Sequence, residues 1–161
     1  RLEGGHKDLV FAHYSLESIV KKALKKTGVL FSRTKLALEL GNLQTDVLTD
    51  EKWLVFVLEQ VLTNAVKYTR KGKISIYLDP EKEKTLVVED TGMGIRPEDL
   101  PRIFEWGYTG YNGRIKNRAT GIGLALCRQT MEMLGHRISA KSEPGKGTSV
   151  HMVRRLGNQE G

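Results

Sequence analysis

The 161-residue chain has one cysteine, Cys127, so it forms no internal disulfide and offers no cysteine pair for a structural zinc site. Its longest apolar stretch, Trp53 to Leu58, falls far short of the roughly 20 residues that a membrane span requires. The first residues lack the apolar core of a signal peptide. Only four prolines and 7% aromatics are present, and no internal repeat, which excludes low-complexity and repeat architectures. The histidines, His6, His13, His136 and His151, stand singly, without the His-Glu-x-x-His spacing of a metal site. What is present is an ordinary globular mixture, 39% hydrophobic and 28% charged, at a length that suits one domain. The net charge of +7 points to polyanionic partners: nucleic acid, anionic lipid or nucleotide phosphates. The basic residues are spread over several stretches, with no aromatic-interleaved run of the single-strand-binding kind.

The hydrophobic pattern alternates helix and strand. Leu9 to Tyr14 reads as a short strand, and Ser15 caps a helix through Ile19, Val20, Ala23 and Leu24 that ends at Gly28. Leu36 to Leu40 reads as a strand, and Val47-Leu48 as a short pairing segment. The clearest helix runs from Asp50 to about Thr69, with Leu54, Val57, Leu58, Val61, Leu62 and Ala65 at helical spacing. Ile74 to Leu78 and Leu86 to Glu89 form a hairpin, and Pro97 opens a short helix carrying Leu100, Ile103 and Phe104. Glu105 to Thr120 has no periodicity and reads as a lid. A helix restarts with Leu124, Cys127, Met131 and Leu134, and Arg137 to Ser142 with Thr148 to Val153 make a closing hairpin. The tail after Leu156 reads as frayed.

Three segments can carry chemistry. On the long helix, at about 100° per residue, Gln60, Asn64 and Lys67 share one polar stripe beside the apolar face, bordered by Tyr68. A carboxamide oxygen ligates a hard cation, and an ammonium one turn later balances phosphate charge. Asp90-Thr-Gly92-Met-Gly94-Ile95 follows a strand; its glycines let a ligand approach the backbone, and its carboxylate accepts a hydrogen bond from an exocyclic amine. It contains no lysine followed by Ser or Thr, so it is not a phosphate loop of the Walker type. Thr120-Gly121-Ile122-Gly123-Leu124 opens a helix whose first amides suit an anion. Arg114, Lys116 and Arg118 sit in the lid, where closure brings them to phosphates. Taken singly, each segment is also explained by a solvated helix face, a tight turn or a helix start.

In order and spacing, the set resembles the catalytic and ATP-binding domain of bacterial sensor histidine kinases, within the superfamily that includes gyrase B, Hsp90 and MutL. Gln60 to Thr69 resembles the N box, and Asp90 to Ile95 the first Gly box. Arg102 to Glu105 with Tyr108 and Thr109 resembles the F box, Gly121 to Leu126 the second Gly box, and Ser142 to Thr148 the closing glycine turn. The similarity covers about Tyr14 to Arg155, leaving residues 1–13 as a linker from phosphoacceptor helices and 157–161 as the tail.

The resemblance implies an α+β chain folded as a two-layer α/β sandwich, the Bergerat ATP-binding fold, with three helices on one face of a mixed, mostly antiparallel sheet. It implies Mg-ATP between the long helix and the lid. Asn64 would hold Mg2+, with Gln60 one turn before it; Lys67, Arg114 and Lys116 would meet phosphates, and Asp90 would bind the adenine amino group. Gly92, Gly94, Gly121 and Gly123 would leave room for the nucleotide beside Ile95, Ile122 and Leu124. Phe104 would pack the lid, Tyr108 and Thr109 of the F box and Tyr68 at the edge of the polar stripe would also line the nucleotide site, and Thr148 would sit near the adenine through water.

Two departures bear on mechanism. Gln60 is not the carboxylate base of the hydrolytic relatives, so intrinsic hydrolysis should be slow, and no histidine has an acceptor motif, so the phosphoacceptor domain lies elsewhere. The Glu105 to Arg114 stretch is similar to kinases of the intramembrane-sensing, bacitracin-sensor type. That likeness implies a cytoplasmic domain of a homodimeric bacterial membrane protein that passes phosphate to a response regulator, the isolated piece being monomeric. Two other readings share the fold: a serine kinase of the anti-sigma-factor type, and a non-catalytic nucleotide-sensing docking module.

Overall fold

A computed structural model describes residues 8–107 and 123–154. The expected frayed tail and most of the lid lie outside those residues. The chain enters through β1 (Phe11–Ser15), which pairs antiparallel with β3 (Asp46–Asp50) as a two-stranded ladder separate from the main sheet. Ser15 ends β1 and caps α1 (Leu16–Lys26), its Oγ accepting the Ser18 N–H at 3.2 Å. The apolar stripe of α1, Leu16, Ile19, Val20 and Ala23, is buried. The expected stop at Gly28 occurs one residue earlier. The Thr27 hydroxyl donates to Ala23 O at 3.0 Å, and Gly28 begins a short further helix, α2 (Gly28–Ser32), which has too few apolar repeats to stand out in sequence.

Next, β2 (Ala37–Leu40) joins the main sheet and β3 returns to the ladder. Asp50 closes β3 and starts α3 (Glu51–Lys67): Oδ1 accepts Trp53 N–H at 3.0 Å, and Oδ2 accepts Val10 N–H at 2.8 Å. α3 buries Leu54, Val55, Val57, Leu58, Val61, Leu62 and Ala65, and each Leu or Val so covered contributes about 1.5–3 kcal/mol by leaving water. This helix is the centre of the core and carries the polar stripe of Gln60, Asn64 and Lys67 at fixed angles to it.

The main sheet has five strands in the order β2, β4 (Lys73–Leu78), β5 (Thr85–Asp90), β7 (Gly147–Arg154), β6 (His136–Glu143). Among the described residues, only the β2–β4 pair is parallel. The strands alternate as their period of two requires: Ile74, Ile76, Leu86, Val88 and Met152 join the helical core, while Ser75, Tyr77, Glu89 and His151 take the opposite face. Three helices, α1, α3 and α4 (Gly123–Met133), cover the core face, which makes the fold the expected α+β sandwich. The short helix expected after Pro97 is a single 3-10 turn at Leu100–Arg102, since Pro101 interrupts it. Among the described residues, no helix is long and apolar enough to cross a membrane.

Candidate functional site

The C-terminal half of α3 ends at Tyr68, whose N–H donates to Asn64 O at 3.1 Å while its own carbonyl accepts Met93 N–H at 3.1 Å. That bond fastens the Asp90–Ile95 turn to the end of the helix. β5 delivers Asp90 to the rim of the sheet, and its Oδ1 accepts two backbone N–H groups, from Gly92 at 2.9 Å and from Thr148 at 3.2 Å. Burial raises the Asp90 carboxyl above the usual carboxylate range. The Gly92 and Thr148 N–H groups oppose that rise, as does the nearby Thr69 hydroxyl, and Glu89 adds to it.

The turn is too tight for side chains. A Cβ on Gly92 would lie 2.4 Å from Tyr68 O and 2.6 Å from Thr69 Oγ1. Gly94 has φ +76°, and a Cβ there would lie 2.3 Å from Glu143 O. The β6–β7 hairpin locks onto this turn: Gly145 N–H donates to Met93 O at 2.8 Å, and Ser142 Oγ accepts Ile95 N–H at 2.7 Å. Ser142 Oγ also donates to Gly147 O at 2.9 Å and lies 2.9 Å from Thr148 Oγ1.

From the other side, α4 begins against the polar stripe, since a Cβ on Gly123 would meet Gln60 Oε1 at 3.3 Å. Three of the five segments singled out in sequence, the last of them from Gly123 onward, thus gather around a fourth, the last two turns of α3. Gln60, Asn64, Lys67, Tyr68, Ile95, Gly123, Leu124 and Thr148 are all half-buried, lining the cleft without being sealed in the core. Lys67 Nζ sits 5.9 Å from the centre of the Tyr68 ring, and burial raises the Tyr68 hydroxyl above its ordinary pKa. Phe104 is half-buried at the start of the fifth segment. Tyr108, Thr109, Arg114, Lys116, Gly121 and Ile122 lie outside the described residues.

The donors present fit a nucleoside. The Thr69 hydroxyl is buried beside the Asp90 carboxyl, which it helps to keep ionised, and it makes no hydrogen bond of normal geometry in the absence of a ligand or a bridging water. Glycines leave space where any Cβ would collide. Sequence reasoning gave no role to Thr69 or to Ser142. The signal for Ser142 was its place opposite Thr148 in the closing hairpin, the pairing that β6 and β7 adopt. Cys127 is a core residue: its thiol lies 3.8 Å from Val57 O, and burial pushes its pKa up to about 12.

Comparison with known proteins identifies the family. Residues 49–157 match the family described as histidine kinase-, DNA gyrase B- and HSP90-like ATPases. The chain is 41% identical over 147 residues to the sensor protein BceS of Halalkalibacterium halodurans, covering 91% of this chain and 44% of that protein. It is 32% identical over 161 residues to the sensor protein kinase GraS of Staphylococcus aureus, covering 99% of this chain and 46% of that one. The chain therefore spans less than half the length of these relatives. In fold it is similar to a mycobacterial sensor histidine kinase, MprB, with a TM-score of 0.73 at 20% identity over 91% of this chain and 100% of that one. The Acinetobacter baumannii histidine kinase AdeS superposes with a TM-score of 0.70 at 22% identity over 96% of this chain and 74% of that one. On these grounds the chain belongs to the histidine kinase-, DNA gyrase B- and HSP90-like ATPase family, with sensor histidine kinases among its relatives.

Proposed function

We propose that this chain binds Mg-ATP in the cleft between the C-terminal half of α3 and the Asp90 turn and presents the γ-phosphoryl group to a histidine on a separate domain. The observation that carries the reading is the Asp90 carboxylate. It is held at the cleft by two backbone N–H groups on the same oxygen, above glycines that admit nothing larger. Its other oxygen is suited to the amino group of adenine, with the Thr69 hydroxyl and Thr148 beside it.

Bound Mg2+ would neutralise charge on the phosphates and orient them for in-line transfer. Asn64 is the side chain to hold it, and Gln60 one turn earlier stands beside the same position. Among the described residues no group of three His, Cys, Asp or Glu side chains could hold a metal alone, so a carboxamide shared with phosphate oxygens is the donor set that fits. Lys67 balances phosphate charge from the same stripe. Gly123 and Leu124 bring the first turn of α4 to the phosphates, and Arg114 and Lys116 would add positive charge to them. Since Gln60 is a poor base, water is not activated, and catalysis rests on positioning and charge neutralisation.

The acceptor histidine would lie on a dimerisation domain of the parent protein. Phosphate would then pass to an aspartate of a response regulator, and this domain would work on the cytoplasmic side of the membrane. Calorimetric titration with a non-hydrolysable ATP analogue, with and without Mg2+, tests the site. Radiolabelled phosphate transfer to an added histidine-hairpin fragment tests the reaction; transfer to a serine substrate instead, or to nothing, would overturn the kinase assignment.

A further inference from the structure

Between Glu17 and Glu39 the chain carries six cations, Lys21, Lys22, Lys25, Lys26, Arg33 and Lys35, and no carboxylate. Two are paired: Lys21 lies 3.5 Å from Glu17, and Lys22 lies 2.5 Å from Glu51. Lys25, Lys26, Arg33 and Lys35 are exposed and make no ion pair among the described residues. They flank α2, a short helical turn whose Phe31 packs on the core while Val29 stands 61% exposed. The Thr27 and Ser32 hydroxyls donate to carbonyls of their own turns, Ala23 O and Val29 O. Ala37 N–H donates to Gly72 O, which brings the exposed Arg70 and Lys71 to the same end of β2 as Lys35.

We propose that this α1–α2 corner docks on an anionic phospholipid surface, the lysines and arginines facing lipid phosphates and Val29 entering the headgroup layer. An array of unpaired cations around one exposed apolar side chain, with no exposed aromatic in α1 or α2 for a base to stack on, matches diffuse interfacial phosphate rather than a nucleic acid strand. The surface contains none of the residues of the nucleotide cleft, so it stands or falls independently of the proposed function.

The test is sedimentation of the chain with vesicles containing about one-third phosphatidylglycerol in phosphatidylcholine, against pure phosphatidylcholine. Binding should occur only to the anionic vesicles and disappear at high salt. Lys25→Glu/Lys26→Glu/Arg33→Glu should weaken it about tenfold or more, and Val29→Ser less. Arg137→Glu/Lys141→Glu/Lys146→Glu, which changes net charge equally on an exposed region of β6 and its turn, should leave most of the binding. Circular dichroism verifies folding, and the glutamine versions of the first triple replace it if it unfolds. No sedimentation, equal loss in the two triples, or retention only by an acidic polypeptide would each overturn the proposal.

Discussion

Asp90 and Thr148 stand 58 positions apart in sequence, yet the Thr148 N–H donates to Asp90 Oδ1 at 3.2 Å and the two residues are direct partners across β5 and β7. The carboxylate at the cleft is therefore positioned by the last hairpin as much as by its own turn. Asp90→Asn keeps an oxygen for both backbone donors but replaces the remaining acceptor with an amide donor. The variant should fold with an unchanged melting curve and lose about a hundredfold in affinity for an ATP analogue by calorimetry. Unchanged affinity would take Asp90 out of the site.

Asn64→Ala removes the proposed metal ligand from a half-buried helix face and should cost little stability. ATP-analogue binding in the presence of Mg2+ should weaken about tenfold or more, while metal-free binding should change much less. Equal losses in both conditions would mean that Asn64 contacts the nucleotide directly.

Gly147 has φ +131°, and a Cβ there would lie 2.0 Å from Asp90 O, a collision with backbone that no rotamer relieves. Gly147→Ala should destabilise the domain by about 3 kcal/mol or more in urea unfolding, with nucleotide affinity falling as the Asp90 turn is displaced. Gly145, with φ +83° and open space around it, should lose only about 1 kcal/mol on the same change, from backbone conformation alone.

His136 is buried, with Nε2 3.1 Å from Thr49 Oγ1 and with Nδ1 lacking a partner. Burial, reinforced by the charge of Arg154, lowers its pKa to about 4 from the ordinary 6.5. The unfolded chain thus binds a proton that the folded chain refuses. Stability from this group is fully present above pH 6.5 and is lost as the pH falls toward 4. His136→Gln should flatten urea-unfolding stability over that window; an unchanged slope would assign acid sensitivity to other groups.

The helices and hairpins were legible because their periods are set by burial on one side: Leu54 to Ala65 on α3, and Ile74 and Ile76 on β4, are core residues. α2 escaped because one turn held by Thr27 and Phe31 leaves no repeat, and the 3-10 turn because Pro101 truncates what Pro97 begins. β1 and β3 were read as strand segments, but their pairing with each other in a ladder apart from the main sheet went unread, since strand pairing is non-local. In the candidate site, the Asp90, Gly92 and Gly94 turn was legible from its turn chemistry. Ser142 and Thr69 were not, because Ser142 meets its hydrogen-bond partners, and Thr69 comes to lie beside Asp90, only once the hairpin and the helix end have come together.

The two oxygens of Asp50 are divided between Val10 N–H and Trp53 N–H, so one side chain is both a clamp on the incoming strand and the first fixed point of α3. Slipping β1 by one residue against β3 would cost that clamp together with the ladder. The entering chain and the first turn of the helix bearing Gln60, Asn64 and Lys67 are accordingly tied at one side chain, so losing the Asp50 carboxylate would release both together.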